Sequence, residues 1–363
     1  MTARILRVAL LLLLVLAGFP ARAQTGWGLG VVNGEFYFTD LTRGRVVKLD
    51  PAGGVQALIE DVHCHNLAPG YDGRIYGEAV GANRGGMGEE MGIWSLTTSG
   101  ERSWLMAPTA PPIEGFWIAR DALGNSYAWQ GELGRVSRIV KRTPAGEVIV
   151  LGGAAWGQDD GRGDAARFGQ VGGLAVTRDG IVYLADSGHL RRLDSEGVVQ
   201  TLARDLISPK TGGVPGRAYL FNHSVGLAVS EDGVVYLADH YNRRVVRWDR
   251  ARGAAVIWEY AESWLSRLTG GGIAWYPGGV AVAGPDAYVL EVLQVPGLLA
   301  DLVGSPQIRR ICPDGSSTLA ASVTSAPLRL GVAAIVVLPV IGLLTWWRRR
   351  RRFDPSGRPA HRG

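Results

Sequence analysis

Residues 161–203 read GRGDAARFGQVGGLAVTRDGIVYLADSGHLRRLDSEGVVQTLA, and this stretch decides the fold. An apolar run, GGLAVT, comes first. Arg178-Asp179-Gly180 follows, a turn signal. The run IVYLAD around Tyr183 is next, then HLRRL, then a second turn at Asp194 to Gly197, then VVQTLA. Short β-branched and aromatic runs bounded by Gly and Asp turns are strand signals. The stretch therefore predicts four antiparallel strands joined by tight connections.

The next stretch repeats the pattern. Residues 221–248, FNHSVGLAVSEDGVVYLADHYNRRVVRW, place Tyr236 where the first places Tyr183. The same Tyr recurs as Tyr37 in EFYFTD, Tyr76 in GRIYGE, Tyr127 in NSYAWQ and Tyr288 in DAYVLE. The spacings along the chain are 39, 51, 56, 53 and 52 residues. Six units of roughly this length have the period of propeller blades. The expected fold is all-β, a six-bladed β-propeller with four-stranded blades over residues 24–320. Radial closure protects edges that six free sheets would expose.

The quoted residues resemble the NHL-repeat family of propellers, within a superfamily that includes gluconolactonase-like and strictosidine-synthase-like proteins and a zinc-dependent amidating lyase. Tyr37, Tyr183 and Tyr236 each have Asp three residues on (Asp40, Asp186, Asp239). Each Asp has Arg five residues further (Arg45, Arg191, Arg244). The resemblance implies that these pairs are structural contacts. Glu78, Trp129 and Glu291 stand at or near the Asp position in the other blades. The resemblance also raises an enzymatic alternative, a metal-dependent hydrolase or lyase with its site at the central channel mouth.

Composition agrees with turn-rich β structure. Gly supplies 52 of 363 residues, twice the usual share of roughly 7%. Gly in helix interiors costs about 1 kcal/mol relative to Ala. Two Cys exclude a disulfide-stapled scaffold and a four-Cys zinc site. Cys64 and Cys312 fall in strands expected to lie too far apart for one bridge.

The formal net charge of +5 belongs to the chain ends. Residues 1–23 read as a secretory signal: Arg4 and Arg7, an apolar core from Val8 to Phe19, and Ala21-Arg22-Ala23 as the cleavage site. After a linker at 321–329, residues 330–347 (LGVAAIVVLPVIGLLTWW) carry no charge. They predict one transmembrane helix with interfacial Trp. Arg348 to Arg352 open a basic tail over 348–363, cytoplasmic by the positive-inside rule. The propeller is then periplasmic or extracellular on a single-pass membrane anchor. Residues 24–347 hold 28 Lys and Arg against 32 Asp and Glu. That balance removes the electrostatic support for a nucleic-acid partner.

In a four-stranded meander with strands a to d, the a–b and c–d turns share one face; the b–c and d–a connections share the other. The long connections all fall in the second class, at Val80 to Gly92, Ala107 to Glu114, Gly152 to Gln170, Asp205 to Phe221, Ala261 to Trp275 and Leu293 to Pro306. Variable loops on a rigid scaffold are where recognition usually lives. This face, carrying Trp117, Trp129, Trp156, Trp264 and Trp275, is expected to take a small-molecule or protein ligand.

Registering the blades on Tyr places His63, Glu114, Gln170 and His223 at one level of the inner strands, with Tyr276 one residue off. His63 and His65 share a strand face by alternation. With Glu114 or His223 they form a candidate set for a divalent metal, Zn or Ca, and such a metal activates water or polarises a carbonyl. Hydrogen bonding of these groups to backbone and direct ligand binding are the alternatives. Asn66, Asn222 and Asp239 are further channel candidates, and Trp117 is a further ligand-face candidate. Asp159 to Asp164 resembles part of a calcium loop but lacks the acid at position 12. The chain contains no G-x-S-x-G, H-E-x-x-H or P-loop motif.

Overall fold

A computed structural model of the chain describes residues 28–40, 44–60, 64, 66–80, 91–109, 118–132, 134–206, 226–240, 242–261, 274–294 and 306–322. The expected signal, transmembrane run and basic tail lie outside the described residues, as does the linker from 323 on; its first two residues, 321 and 322, instead end the last strand, Ser317–Ser322. No helix long and apolar enough to cross a membrane occurs among the described residues.

Six antiparallel sheets follow one another in chain order. Blade one is β1 (Leu29–Val32), β2 (Glu35–Asp40), β3 (Arg45–Leu49) and β4 (Val55–Ile59). Blade two is β5 (Leu67–Pro69), β6 (Ile75–Val80), β7 (Met91–Leu96) and β8 (Arg102–Thr109). Blade three is β9 (Ile118–Arg120), β10 (Ser126–Glu132), β11 (Val136–Arg142) and β12 (Val148–Gly152). A short β13 (Gly161–Arg162) precedes blade four, which is β14 (Val171–Val176), β15 (Val182–Asp186), β16 (His189–Leu193) and β17 (Val198–Ala203). Blade five is β18 (Gly226–Val229), β19 (Val235–Asp239), β20 (Arg244–Asp249) and β21 (Gly253–Glu259). Blade six is β22 (Ala274–Ala283), β23 (Asp286–Gln294), β24 (Gln307–Ile311) and β25 (Ser317–Ser322). The first strands of neighbouring blades touch all the way round, including β1 against β22. The six-bladed, four-stranded propeller read from the repeat is therefore the observed fold.

One blade departs from four strands. β13 pairs antiparallel with β17, Gly161 opposite Val199 and Arg162 opposite Val198. The connection from blade three thus covers the open outer edge of blade four.

The recurring Tyr sits on the second strand of every blade. It packs against the following blade. Tyr37 joins Ile75 and Trp94 of blade two. Tyr127 joins Leu174 and Leu184 of blade four, Tyr183 joins Leu237 and Val246 of blade five, and Tyr236 joins Val289 of blade six. Tyr76 lies under the Arg120 guanidinium of blade three, 4.3 Å from the ring centroid. Tyr288 packs on blade one, 5.3 Å from the Phe36 ring. A large side chain with a polar tip suits a wedge between sheets, burying its ring and leaving the hydroxyl at the turns. The Tyr127 hydroxyl donates to Asp121, for example, at 2.9 Å.

Each blade owns all four of its strands, so no shared sheet clasps the ring. Blade six meets blade one through Leu290, Val292 and Ile308 against Leu29, Phe36, Phe38 and Leu49. Among the described residues, this seam is closed by side-chain packing, with no strand shared across it.

The a–b and c–d turns are tight. Asn33 and Gly34, with φ of 54° and 79°, form the two-residue turn between β1 and β2, the left-handed pair that matches strand twist. The long connections between named strands fall at the b–c and d–a ends. They include 81–90, 204–225, 260–273 and 295–306 between named strands. One face is plain and the other elaborated.

Candidate functional site

The elaborated face is built on three Asp–Arg pairs at the b–c turns. Asp40 Oδ2 meets Arg45 Nε at 3.1 Å, Asp186 Oδ2 meets Arg191 Nη1 at 2.7 Å, and Asp239 Oδ2 meets Arg244 Nε at 2.9 Å. The Arg then ties down the incoming connection. Arg191 donates to the carbonyls of Arg167 and Asp159, and Arg244 to that of Leu206. Burial pushes the Asp186 carboxyl above the usual carboxylate range, against the pull of Arg191. These pairs are structural, as the resemblance implied.

Blades three and six keep the position with different chemistry. Gln130 stands three residues after Tyr127 and accepts from Arg138 Nε at 2.9 Å. Glu291 stands three after Tyr288, is buried, and receives both Arg309 Nη2 at 3.2 Å and Gln307 Nε2 at 2.6 Å. The Tyr260 hydroxyl donates to it at 2.9 Å, and burial beside that carboxylate drives the Tyr260 pKa strongly up. Sequence reading missed this cluster because a 295–306 insertion separates Glu291 from its Arg. Only the strand pairing of Glu291 with Gln307 reveals it.

Asn66, Gln170, Asp239 and Tyr276 are the ligand-face candidates among the described residues. His63, His65, Glu114, Trp117, Asn222 and His223 lie outside them. Asn66 heads the inner strand of blade two: its N–H donates to the buried Glu78 Oε1 at 3.1 Å and its side-chain amide to the Ile118 carbonyl of blade three at 3.2 Å. Its amide therefore ties two inner strands together. Gln170 accepts from the Ser187 N–H through its carbonyl, at 2.9 Å. Asp239 is engaged by Arg244 and by Asn242 Nδ2 at 2.7 Å. Cys64 and Cys312 are free thiols; Cys64 donates to the Asn66 carbonyl at 2.9 Å, and burial raises its pKa, with Glu78 adding to the effect.

Tyr276 brings together residues that the register did not single out. His240 stacks on its ring, centroids 4.8 Å apart and 28° between planes. The Arg243 guanidinium lies 5.3 Å from the same ring. His240 Nδ1 is 3.0 Å from the Pro277 carbonyl, and Arg243 donates to the carbonyls of Trp275 and Ala261 at 3.3 and 3.2 Å. The b–c turn of blade five is thereby docked on the inner strand of blade six. Desolvation pushes the His240 pKa down to about 4, partly opposed by the Pro277 carbonyl, so the ring is neutral at pH 7. Arg243 holds φ of 53°. A left-handed backbone at a bulky non-Gly residue is sparsely populated, and such residues cluster at ligand clamps and active sites. The sequence signal for this group was the DHYNRR turn, which begins three residues beyond Tyr236.

Asp160 illustrates the opposite outcome. Burial pushes its carboxyl up, but hydrogen bonds from Thr201 and Arg191 outweigh it and leave the carboxyl below its ordinary range. The loop that resembled a calcium site is thus engaged by protein donors. No group of three or more His, Cys, Asp or Glu side chains among the described residues is placed to hold a metal. The described residues alone do not make a metal site.

No family model and no curated protein matches the chain. Solved structures do. A putative gluconolactonase is similar with a TM-score of 0.50 at 11% identity, over 84% of this chain and 92% of its own. A protein of unknown function from Bacteroides thetaiotaomicron has a TM-score of 0.51 at 12% identity, over 75% and 70%. Virginiamycin B lyase from Staphylococcus aureus has a TM-score of 0.46 at 12% identity, over 83% and 85%. At these identities the likeness bears on the fold.

Proposed function

We propose that the chain is a membrane-anchored, extracytoplasmic propeller that binds a small-molecule or protein ligand through its elaborated face. The observation that carries the reading is the asymmetry of the two faces. Tight turns close one, and the other bears every long connection together with the Tyr276, His240 and Arg243 group. Rigid scaffolds place recognition on such loops. The anchor comes from the uncharged run at 330–347 followed by five Arg.

Photo-crosslinking in native membranes tests the binding face. A crosslinker replacing Tyr276 should form adducts, and one replacing Leu123, on an exposed a–b turn of the plain face, should not. Equal labelling at both sites sinks the reading. A reporter fused after Gly363 should be active only in the cytoplasm.

A second reading rests on the His-Cys-His spacing of His63 and His65 in the sequence, just before the inner strand of blade two. A divalent metal at the channel mouth, held by these with Glu114 or His223, makes the protein a hydrolase or lyase. Elemental analysis of the purified full chain decides: stoichiometric Zn or Ca, lost in His63→Ala or His223→Ala, supports it. Metal-free protein that is normally folded ends it.

A further inference from the structure

Both ends of the propeller leave from the elaborated face. β25 runs toward it, because its last residue, Ser322, pairs with Gln307, the first residue of β24 beside the b–c connection. β1 begins at the same face, Leu29 pairing with Phe38 near the end of β2. Seven residues separate Ser322 from Leu330, where the uncharged run starts. Seven residues reach at most about 25 Å when fully extended. Strands of six residues make the blade roughly 20 Å tall.

Those lengths discriminate between two orientations. With the elaborated face toward the bilayer, the spacer passes directly from Ser322 into the lipid. With the propeller turned over, the spacer runs back along the whole blade first, and about 5 Å of reach remains to enter the bilayer.

We infer that the elaborated face is the membrane-facing side of the propeller, held against the lipid headgroups of the leaflet that its anchor enters, and that this lipid surface is its standing partner. The inference rests on the anchored reading above. The described rim suits the position. Trp275 and Tyr276 are half-buried there, and side chains with an apolar body and a polar tip favour the headgroup layer. The plain face, with its Gly turns, points away from the membrane. Any ligand of the elaborated face is then lipid-borne or enters laterally between propeller and bilayer.

Site-specific quenching tests this. The full chain carrying Cys312→Ser is reconstituted in vesicles of phosphatidylcholine and phosphatidylglycerol; Cys64 is buried and stays unlabelled. A fluorophore is placed on Asp159→Cys or on Leu123→Cys. Asp159 has an exposed side chain and lies at the elaborated end, its carbonyl bound by Arg191. Leu123 is 78% exposed at the plain end. Lipids spin-labelled at the headgroup should quench the Asp159 site several-fold more strongly than the Leu123 site. Arg167→Cys, whose side chain is also exposed, replaces Asp159→Cys if that variant fails to fold. Equal quenching, or stronger quenching at Leu123, in protein that floats with the vesicles overturns the orientation alone. Protein that does not float overturns the anchor and the orientation together.

Discussion

Arg191 and Arg45 occupy equivalent positions in two blades, yet their surroundings differ enough to separate their contributions. The Arg191 and Asp186 side chains are both 0% exposed, and those of Arg45 and Asp40 are 28% and 12% exposed. Removing one partner of a buried pair leaves an uncompensated buried charge and costs about 3–5 kcal/mol, whereas an exposed pair contributes about 1 kcal/mol or less. Arg191→Ala should therefore lower stability by several kcal/mol, and Arg45→Ala, whose pair is partly open to solvent, by clearly less. Urea unfolding midpoints at neutral pH check both. Equal losses would mean that solvent exposure does not set the strength of the repeated pair. His240 supports a prediction of the opposite kind. Its folded pKa lies near 4 while the unfolded ring titrates near 6.5. The unfolded state binds the extra proton between these values, so stability contributed by the neutral ring is present above about pH 6.5, lost as pH falls toward about 4, and unchanged below. In His240→Gln the slope of stability over that window should flatten. An unchanged slope would place the acid sensitivity on other groups.

Among the elements, the inner strands of blades five and six approach each other closely at a glycine. A Cβ on Gly226 of β18 would lie 2.8 Å from the Gly279 Cα, 2.9 Å from the Gly278 carbonyl oxygen and 2.9 Å from the Val280 nitrogen of β22. All three are backbone atoms and none can rotate away. Gly30 of β1 differs: its Cβ would meet only the Ile75 Cδ1 and Leu67 Cδ2 methyls, at 3.0 and 3.1 Å. Gly226→Ala should destabilise by about 1–3 kcal/mol, in the range of overpacked cores, and Gly30→Ala by less. Thermal unfolding of the two variants side by side checks the order. The strands and turns that carry these glycines were legible in the sequence, because a hairpin is a local object with a two-residue alternation and a Gly or Asp turn. The Asp–Arg pairs were legible for the same reason: five residues across a b–c turn bring the two side chains together. Glu291 and Arg309 make the same kind of contact, but an insertion moves the Arg beyond any fixed spacing. The extra strand β13 was also hidden, since two residues of Gly and Arg carry no strand signal of their own.

At the scale of the molecule, no strand among the described residues is shared between the first and last blades. Phe38, 1% exposed, sits in the cluster that joins blades one and six. Phe38→Ala should cost about 3–5 kcal/mol, as large-to-small changes in cores do. Because no described strand spans the seam, limited proteolysis should cleave this variant first at blades one and six. Uniform cleavage around the ring would show that closure does not depend on this packing.

What the amino-acid order determined by itself was periodic or local. Six Tyr-centred units, their turns, the Asp–Arg pairs and the charge confined to the chain ends all follow from neighbours along the chain. The tertiary structure alone decided which side chains meet between blades. His240 meets Tyr276, and Phe38 meets the side chains of blade six, from positions far apart in sequence. Their proximity depends on how six twisted sheets pack radially around one axis. That packing is a property of the closed ring, so no single blade's sequence contains it.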